Sequence, residues 1–283
     1  GCSSKTTAYF AGEAHGFNSV HGRMPTIATG ANAANRDLYY VGVSGDGDSL
    51  SIGLGHLAHA VRRNVRMLYV IENNGVYGLT KGQFSASADI GSKSKKGEPN
   101  AVAPIDPLLM ALSIGATFVA RGFSGDKERL VPLLKAGMNH RGLALIDVIS
   151  PCVQFNDHEG STKSYKFVRE HEVAATDFVP PREQIIAHVP DQGVVTVPMH
   201  DGALMTFRAV PEGYDPRDRL AAVQYLQDHR ERGEVVTGLL YAEEGVPDLH
   251  ELAATPPEPL ASLPFDRLCP GATELASLQD GFR

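Results

Sequence analysis

The feature that most limits the fold of this chain is a succession of strand, helix and strand over residues 38–74. Residues 38–44 (LYYVGVS) are apolar and rich in β-forming side chains, and they run directly into the sequence GDGD at residues 45–48. Apolar side chains then recur at helical spacing over residues 49–64, and a second strand-like apolar run covers residues 67–72. Such a helix carries the chain back by about 24 Å and six strand residues return it by about 20 Å, so both strands fit side by side in one parallel sheet.

The same alternation of strands and helices continues through the first half of the chain. The apolar patterns predict helices over residues 107–114 and 126–140 and strands over residues 117–121 and 143–150. We therefore expect an α/β fold, a parallel sheet with helices on both faces, formed by residues 1–160.

The character of the sequence changes after residue 160, and residues 161–283 are predicted to form a C-terminal extension. Its patterns favour a hairpin that turns near residues 200–202, a surface helix within residues 215–233, and a proline-rich arm over residues 256–271 that lies on a partner subunit or on its own domain. Within the first domain, the polar and glycine-rich residues 84–107 are too long for a simple connection and are predicted to form a lid or plug.

Composition narrows the class of protein. Apolar residues are 42% and charged residues 21% of the chain, and no apolar run approaches the roughly 20 residues that span a bilayer, so we expect no membrane partner. A net charge of −7 gives no basic field for nucleic acid. Three cysteines are too few for a disulfide framework, which favours the cytoplasm. The chain begins with Gly1 and its pattern starts in mid-fold, so we expect an N-terminal segment upstream of this sequence.

Two polar motifs follow neighbouring strands and would meet at the carboxyl edge of the sheet. Asp46 lies in GDGD and Asn74 in ENNG, and open α/β sheets bind their ligands at this edge. Mg²⁺ prefers oxygen ligands and is usually held by one or two carboxylates together with phosphates and water. Asp46, the Asn74 amide and the Val76 carbonyl are candidate ligands, and Gly45 and Gly47 would let the backbone approach a diphosphate. Either motif alone is commonly just a turn, but their shared edge favours a magnesium and diphosphate site.

Several segments carry a resemblance to a known family, and they cover roughly the first 160 residues. The segments are GCSS at residues 1–4, HGRMPTIATG at 21–30, GDGDSLSIGLGHLAHAVRRN at 45–64, ENNGVYGLTKGQ at 72–83 and PCVQFND at 151–157. Together they resemble the β subunits of 2-oxoacid:ferredoxin oxidoreductases, which contain the diphosphate-binding domain of thiamine diphosphate enzymes. HGR, GDGD and YGLTKGQ are most similar to the 2-oxoglutarate type.

The resemblance implies a set of cofactor ligands. Mg²⁺ would be bound by Asp46, Asn74 and the Val76 carbonyl. Contacts to thiamine diphosphate would come from the following residues, with Gly45 added from the spacing argument: Gly1, Cys2, Ser3, His21, Gly45, Gly47, Asp48, Gly78 and Leu79. Cys2 and Cys152 match two of the four cysteines that hold a [4Fe–4S] cluster in the family. The other two belong to a CxxC motif that this sequence lacks and that we expect in the upstream segment. Cys269 matches nothing in the family and is interpreted as structural.

Three side chains are candidates for contact with the substrate. His21, between glycine-rich segments, is well placed to reach cofactor or substrate. Arg23 would bind a carboxylate, although a structural ion pair is an equally good interpretation. Lys81 is the candidate for the distal carboxylate of a dicarboxylic oxoacid, with a surface lysine as the alternative.

The resemblance also implies an activity and its partners. A 2-oxoacid would be decarboxylated oxidatively, coenzyme A would receive the acyl group, and ferredoxin would receive the electrons through the cluster. The glutamate that thiamine enzymes need on the aminopyrimidine ring would come from an α subunit with the pyrimidine-binding domain. Alternatives are a pyruvate-type oxidoreductase, a non-oxidative thiamine enzyme such as a decarboxylase or acetolactate synthase, and a non-catalytic nucleotide-binding module.

Overall fold

Eleven strands and nine helices form the part of the chain that the computed structural model describes, which is residues 12–93, 98–180, 193–269 and 271–282. The strands are β1 (Val41–Gly45), β2 (Met67–Asn73), β3 (Val76–Tyr77), β4 (Gln83–Phe84), β5 (Phe118–Phe123), β6 (Leu143–Ile149), β7 (Glu172–Ala174), β8 (Thr176–Val179), β9 (Val194–Pro198), β10 (Leu204–Ala209) and β11 (Val235–Ala242). The helices are α1 (Met24–Ala34), α2 (Leu54–Arg62), α3 (Pro107–Ser113), α4 (Lys127–Asn139), α5 (Tyr165–His171), α6 (Arg219–Glu231), α7 (Leu249–Ala253), α8 (Phe265–Leu268) and α9 (Ala272–Asp280). A π-helical segment covers Gly47–Ile52, and a 3-10 turn covers Leu260–Ser262.

The main sheet has six strands in the order β1, β2, β6, β5, β11 and β7. Strands β1, β2, β6 and β5 are mutually parallel. Strand β11 is antiparallel to β5, and β7 is parallel to β11. The predicted crossover is present, since β1 and β2 are parallel neighbours joined by the helical segment between them, and the predicted α/β class is confirmed.

Two hydrophobic clusters cover the two faces of this sheet, because side chains alternate between faces along each strand. Tyr69 of β2 lies in the cluster that contains apolar residues of α2, α3 and α6. Its neighbour Leu68 lies in the other cluster, with residues of α4 and of the small antiparallel sheet ordered β8, β10, β9. Helices therefore pack on both faces, as predicted.

Aspartate side chains fix where three helices begin. Asp106 accepts hydrogen bonds from the first amides of α3, Asp126 does so for α4, and Asp218 for α6. A side-chain acceptor at this position satisfies amides that have no partner within the helix and stabilises it by about 1 kcal/mol. Helices α3 and α4 thus start within one residue of the predicted positions 107 and 126. Helix α6 begins inside the predicted range 215–233.

The C-terminal half differs from a simple extension. The predicted hairpin is formed by β9 and β10, and its turn includes Gly202 in the left-handed region. However, β11 lies inside the main sheet with all eight residues buried. Residues 161–283 therefore complete the sheet begun by residues 1–160, and the boundary near residue 160 stays a prediction. In the arm, every described residue of α8 and α9 is exposed.

The described part of the chain contains no helix that is both long and apolar enough to cross a bilayer.

The buried His140, just after α4, predicts a pH dependence of stability. Its Nε2 lies 2.8 Å from the Thr117 hydroxyl, and burial lowers its pKa from 6.5 to about 4. Below pH 6.5 the unfolded chain takes up a proton that the folded chain excludes until about pH 4. The stability that neutral His140 provides is therefore complete above pH 6.5 and is lost progressively as the pH falls toward 4, by up to roughly 3 kcal/mol.

The urea concentration at the midpoint of unfolding should fall between pH 7 and pH 5 in the wild type. We expect this fall to be smaller in His140→Gln. The matched control is His59→Gln on the exposed side of α2, which leaves that fall unchanged. Equal pH dependence in the wild type and the His140 variant would show that this assignment is wrong.

Candidate metal and cofactor site

The site is built where the chain leaves two neighbouring parallel strands. Asp46 follows the last residue of β1, and Asn74 follows the last residue of β2. In the register of the two strands Gly45 is paired with Glu72, so the loops that follow lie at the same sheet edge. A hydrogen bond of 2.9 Å from the Gly75 amide to Asp46 Oδ2 joins them directly. The predicted meeting of the two motifs is therefore what the structure contains.

The Asp46 carboxylate is anchored through only one of its oxygens. The residue is 1% exposed, and Oδ2 accepts hydrogen bonds from the Gly75 amide at 2.9 Å, the Ser85 hydroxyl at 2.5 Å and the Ser87 hydroxyl. No residue that the structure describes donates a hydrogen bond to Oδ1. One oxygen is thus held by three donors, and the other keeps its lone pairs for a cation.

The neighbouring ligand candidates fit a metal that is shared with a phosphate ligand. Asn74 is half-buried, and its Oδ1 accepts a hydrogen bond from the Val76 amide at 3.1 Å, which fixes the amide and leaves a second lone pair. Val76 belongs to the short β3–β4 hairpin. Within the described residues, no group of three or more His, Cys, Asp or Glu side chains is placed to hold a metal. One carboxylate, one amide and one carbonyl match Mg²⁺ bound jointly with phosphate and water, rather than a metal in an all-protein site.

The Tyr77 ring leaves no space for a side chain at position 47, so this position requires glycine. A methyl group at Gly47 would lie 2.5 Å from that ring, and the Tyr77 hydroxyl donates to the Gly47 carbonyl at 2.9 Å. The missing side chain of Gly47 therefore makes room for an aromatic ring, and the predicted approach of a diphosphate to Gly47 stays a prediction. Gly47 also opens the π-helical segment, in which the Gly53 amide bonds to the Asp48 carbonyl. Such π-helical turns often occur at functional sites.

Asp48 holds the loop that carries His21. One carboxylate oxygen lies 2.7 Å from His21 Nδ1 and accepts from the Gly22 amide at 3.1 Å, and the other accepts from the Ser44 hydroxyl at 2.9 Å. Burial raises the pKa of the Asp48 carboxyl, but the hydrogen bonds from His21 and Ser44 outweigh it and hold the pKa below its usual value. The His21 side chain is 55% exposed. The structure therefore brings His21 beside the loop that contains Asp46 and Asp48.

A turn over residues 77–83 exposes Leu79 and Lys81 at the same edge. The Gly82 amide bonds to the Tyr77 carbonyl at 2.9 Å, and Lys81 has φ of +79°. A side-chain-bearing residue in the left-handed region is uncommon and costs about 1 kcal/mol or more, and such strain often occurs at functional sites. Lys81 is thus held outward by strained backbone.

Cys152 lies beside the same turn. A methyl group on Gly78 would lie 3.7 Å from Cys152 Sγ, and Cys152 is half-buried and forms no disulfide. The loop that follows is tied to the loop after β2, because the Asn156 side-chain amide donates to the Asn74 carbonyl at 2.7 Å. Cys152 is therefore close to the candidate site, while Cys269 is exposed in the arm.

The remaining candidates are placed less directly. Arg23 is exposed and supplies the carbonyl at the start of α1. Gly1, Cys2 and Ser3 lie outside the described residues, so their predicted contacts stay predictions.

Sequence reasoning missed the side chains that support Asp46. Ser85 and Ser87 come from the segment predicted as a lid, and the Ser87 hydroxyl also contacts Asn73 Oδ1 at 2.9 Å. The spacing of two residues in SAS was the available signal, since alternate residues of an extended segment share one side. Nothing local in the sequence shows which carboxylate they would meet.

A buried ionic cluster continues from this network. Asn73 donates to Asp147 at 3.0 Å, and Arg121 bonds to Asp147 at 2.8 Å and to Asp106 at 3.2 Å. Burial raises the pKa of Asp147 above its usual value. For Asp106, the Arg121 charge and the helix amides outweigh burial, and its pKa falls below its usual value. The two carboxylates differ because Asp106 sits at a helix N-terminus, where a negative charge is favoured.

A family model described as thiamine pyrophosphate enzyme, C-terminal TPP binding domain, matches residues 1–148. That is more than half of the 283-residue chain. The chain therefore belongs to the thiamine pyrophosphate enzyme family.

Individual relatives are similar over somewhat more than half of the length of the chain. The 2-oxoacid:ferredoxin oxidoreductase subunit beta of Saccharolobus solfataricus is 45% identical over 166 residues, which is 58% of this chain and 54% of the relative. The 2-oxoglutarate oxidoreductase subunit KorB of Mycobacterium tuberculosis is 44% identical over 158 residues, 56% of this chain and 42% of the relative. The chain thus spans about half the length of these curated relatives. The predicted relationship to this family of β subunits is confirmed.

A solved structure is similar over most of the fold. The 2-oxoglutarate:ferredoxin oxidoreductase from Magnetococcus marinus, with 2-oxoglutarate, coenzyme A and succinyl-CoA bound, has a TM-score of 0.70 and 32% identity. The similarity covers 90% of this chain and 72% of that chain.

Proposed function

We propose that this chain is the β subunit of a CoA-dependent 2-oxoacid:ferredoxin oxidoreductase that acts on 2-oxoglutarate. The observation that carries the proposal is the Asp46 carboxylate, anchored through one oxygen beside Asn74, in a chain 45% identical over 166 residues to such a subunit. Thiamine diphosphate would be bound through Mg²⁺ held by Asp46, Asn74 and the Val76 carbonyl. When bound, thiamine diphosphate supplies the carbanion that attacks the keto carbon of the 2-oxoacid.

His21 is proposed to orient a polar group of cofactor or substrate. Its Nδ1 lies 2.7 Å from the buried Asp48 carboxylate. The carboxylate can only accept a hydrogen bond, so it favours the tautomer that carries its hydrogen on Nδ1. In that tautomer Nε2 carries no hydrogen and can accept a hydrogen bond. Contacts to the cofactor are likewise proposed for Gly45, Gly47, Asp48, Gly78 and Leu79.

Lys81 is proposed to bind the distal carboxylate of 2-oxoglutarate. The strained turn over residues 77–83 holds the side chain exposed at the same sheet edge as Asp46. A lysine ammonium is a suitable partner for a carboxylate that pyruvate lacks. Arg23, exposed at the start of α1, is proposed as a second cation for a substrate carboxylate.

Cys152 and Cys2 are proposed as two of the four cysteine ligands of a [4Fe–4S] cluster. The support is the position of Cys152, whose Sγ lies beside Gly78 in the turn proposed to contact the cofactor. A cluster there would be close enough to the cofactor to accept its electrons and pass them to ferredoxin.

The surroundings of the site suit a partner subunit. Val20, Ile52, Leu79 and Val153 are apolar side chains in the loops around the site, and each is exposed by 47% to 78%. Exposed apolar groups that surround a polar site indicate a protein interface. We propose that an α subunit with the pyrimidine-binding domain covers them, that coenzyme A receives the acyl group, and that the complex works in the cytoplasm.

Turnover by the full-length chain purified with the α subunit tests this function. With 2-oxoglutarate and coenzyme A we expect reduction of ferredoxin or of a viologen dye. Lys81→Ala should raise the KM for 2-oxoglutarate about 10- to 100-fold, because it removes a charge-assisted hydrogen bond of about 1.5–3 kcal/mol, and should leave the KM for pyruvate unchanged.

Lys135→Ala, which removes an exposed lysine of α4, is the matched control and should change neither KM. If no 2-oxoacid supports dye reduction, the proposed activity is wrong. If Lys81→Ala affects both substrates equally, the activity stands but the proposed role of Lys81 does not.

A further inference from the structure

We propose that Ser85 and Ser87 are positioning residues that set the metal affinity of the site by holding the Asp46 carboxylate in one orientation. This inference rests on the proposed function, because it requires Asp46 to bind a metal. Both serines lie outside every segment that carries the family resemblance.

The geometry gives the two hydroxyls a single shared target. Ser85 and Ser87 both donate to Asp46 Oδ2, and their own hydroxyl oxygens lie 3.2 Å apart. Ser85 is 7% exposed and Ser87 is 2% exposed, so water does not replace these donors readily. Each serine has one hydroxyl proton, so Ser87 can donate either to Asp46 Oδ2 or to Asn73 Oδ1. An ionised carboxylate is a stronger acceptor than an amide oxygen, so both serine protons point to Oδ2 when Asp46 is charged.

Three donors on one oxygen have a directional consequence. With the Gly75 amide, the two hydroxyls fix the rotation of the carboxylate about its χ2 axis. Oδ1 is thereby directed away from the three donors. The backbone amide alone is a single contact and permits rotation, so the serines determine which oxygen a cation meets.

The serines are themselves held in place. The Ser87 amide donates to the Ser85 hydroxyl at 3.3 Å, and Asn73 Oδ1, 2.9 Å from the Ser87 hydroxyl, is the alternative acceptor for its proton. Asn73 is fixed in turn by its hydrogen bond to the buried Asp147. Partners of metal ligands that are oriented in this way typically change metal affinity by 10- to 100-fold when they are removed.

Titration with Mn²⁺ as the probe metal tests the proposal. The full-length chain purified with the α subunit would be saturated with thiamine diphosphate, and free Mn²⁺ would be followed by electron paramagnetic resonance. We expect Ser85→Ala and Ser87→Ala each to raise the Kd for Mn²⁺ about 10-fold. The matched control is Ser92→Ala, since this serine lies in the same segment and its side chain bonds to no described residue; its Kd should equal that of the wild type.

Thermal unfolding without metal separates positioning from stability. A purely structural role would lower the unfolding temperature of the metal-free variants and leave the Mn²⁺ Kd, measured well below that temperature, within twofold of the wild type. That result in both variants would overturn the inference. If Ser87→Ala does not fold, Ser85→Ala decides, since the proposal makes the same demand on each. Wild-type protein that binds no Mn²⁺ with thiamine diphosphate would instead refute the proposed function.

Discussion

Replacing Asp46 by alanine is expected to abolish the binding of thiamine diphosphate with Mg²⁺. The change removes the carboxylate that is proposed to bind the metal, and it leaves the Gly75 amide and the Ser85 and Ser87 hydroxyls without their buried acceptor. Removal of a partner of a ligand costs 10- to 100-fold in metal affinity, so loss of the ligand itself should weaken binding by at least about 100-fold. Calorimetric titration of the full-length complex with thiamine diphosphate and Mg²⁺ measures this.

Asp37→Ala is the matched control, because it removes the same charge from an exposed position before β1, at the opposite edge of the sheet. It should bind the cofactor like the wild type. Asp46→Asn keeps the size of the side chain and should still bind far more weakly, since the charge is lost. Cofactor affinity that survives in both Asp46 variants would exclude this residue as the metal ligand.

Replacing Arg121 by methionine is expected to cause the largest loss of stability, about 3 to 5 kcal/mol. The guanidinium is 11% exposed and lies between Asp147, which is fully buried, and Asp106. Without Arg121, two carboxylates stay in a poorly solvated place with no opposing charge. Their folded-state pKa values would then lie above the unfolded values, so protonation would favour folding and the loss should shrink as the pH falls from 8 to 5.

Arg129→Met makes the same substitution in a solvent-exposed setting. Arg129 lies within 4 Å of three carboxylates, Asp126, Glu172 and Asp177, but is 49% exposed. Exposed ion pairs contribute about 0–1 kcal/mol, so little stability should be lost despite the greater number of partners. Urea unfolding of both variants compares them, and a loss for Arg121→Met no larger than for Arg129→Met would contradict our account of the buried cluster.

The sequence was informative where the structure is determined by neighbouring residues. The period of apolar side chains placed β1, the helical segment and β2, and chain direction alone then required Asp46 and Asn74 to share an edge. The local pattern of apolar residues could not show that the segment Gly47–Ile52, directly after β1, is π-helical. It also could not show that Tyr77 occupies the space that Gly47 leaves.

Contacts between distant segments could not be predicted in the same way. Arg121 and Asp147 pair because β5 and β6 align them as register partners, and register is unknown until the strands are matched. Ser85 reaches Asp46 across 39 residues of chain. The strand β11 carried a visible apolar run, but its position depends on a pairing with β5 that no local pattern encodes.

The place of β11 in the sheet also has a consequence for biosynthesis. Strand β5 has β6 as one neighbour and β11 as the other, and β11 is translated long after both. Until residues 235–242 leave the ribosome, the nascent chain presents an apolar strand with an unpaired edge, which is a site for misassociation. A fragment cut at residue 148 or 160 would keep that edge permanently open. The first half of the chain therefore depends on residues 235–242 to cover the edge of β5.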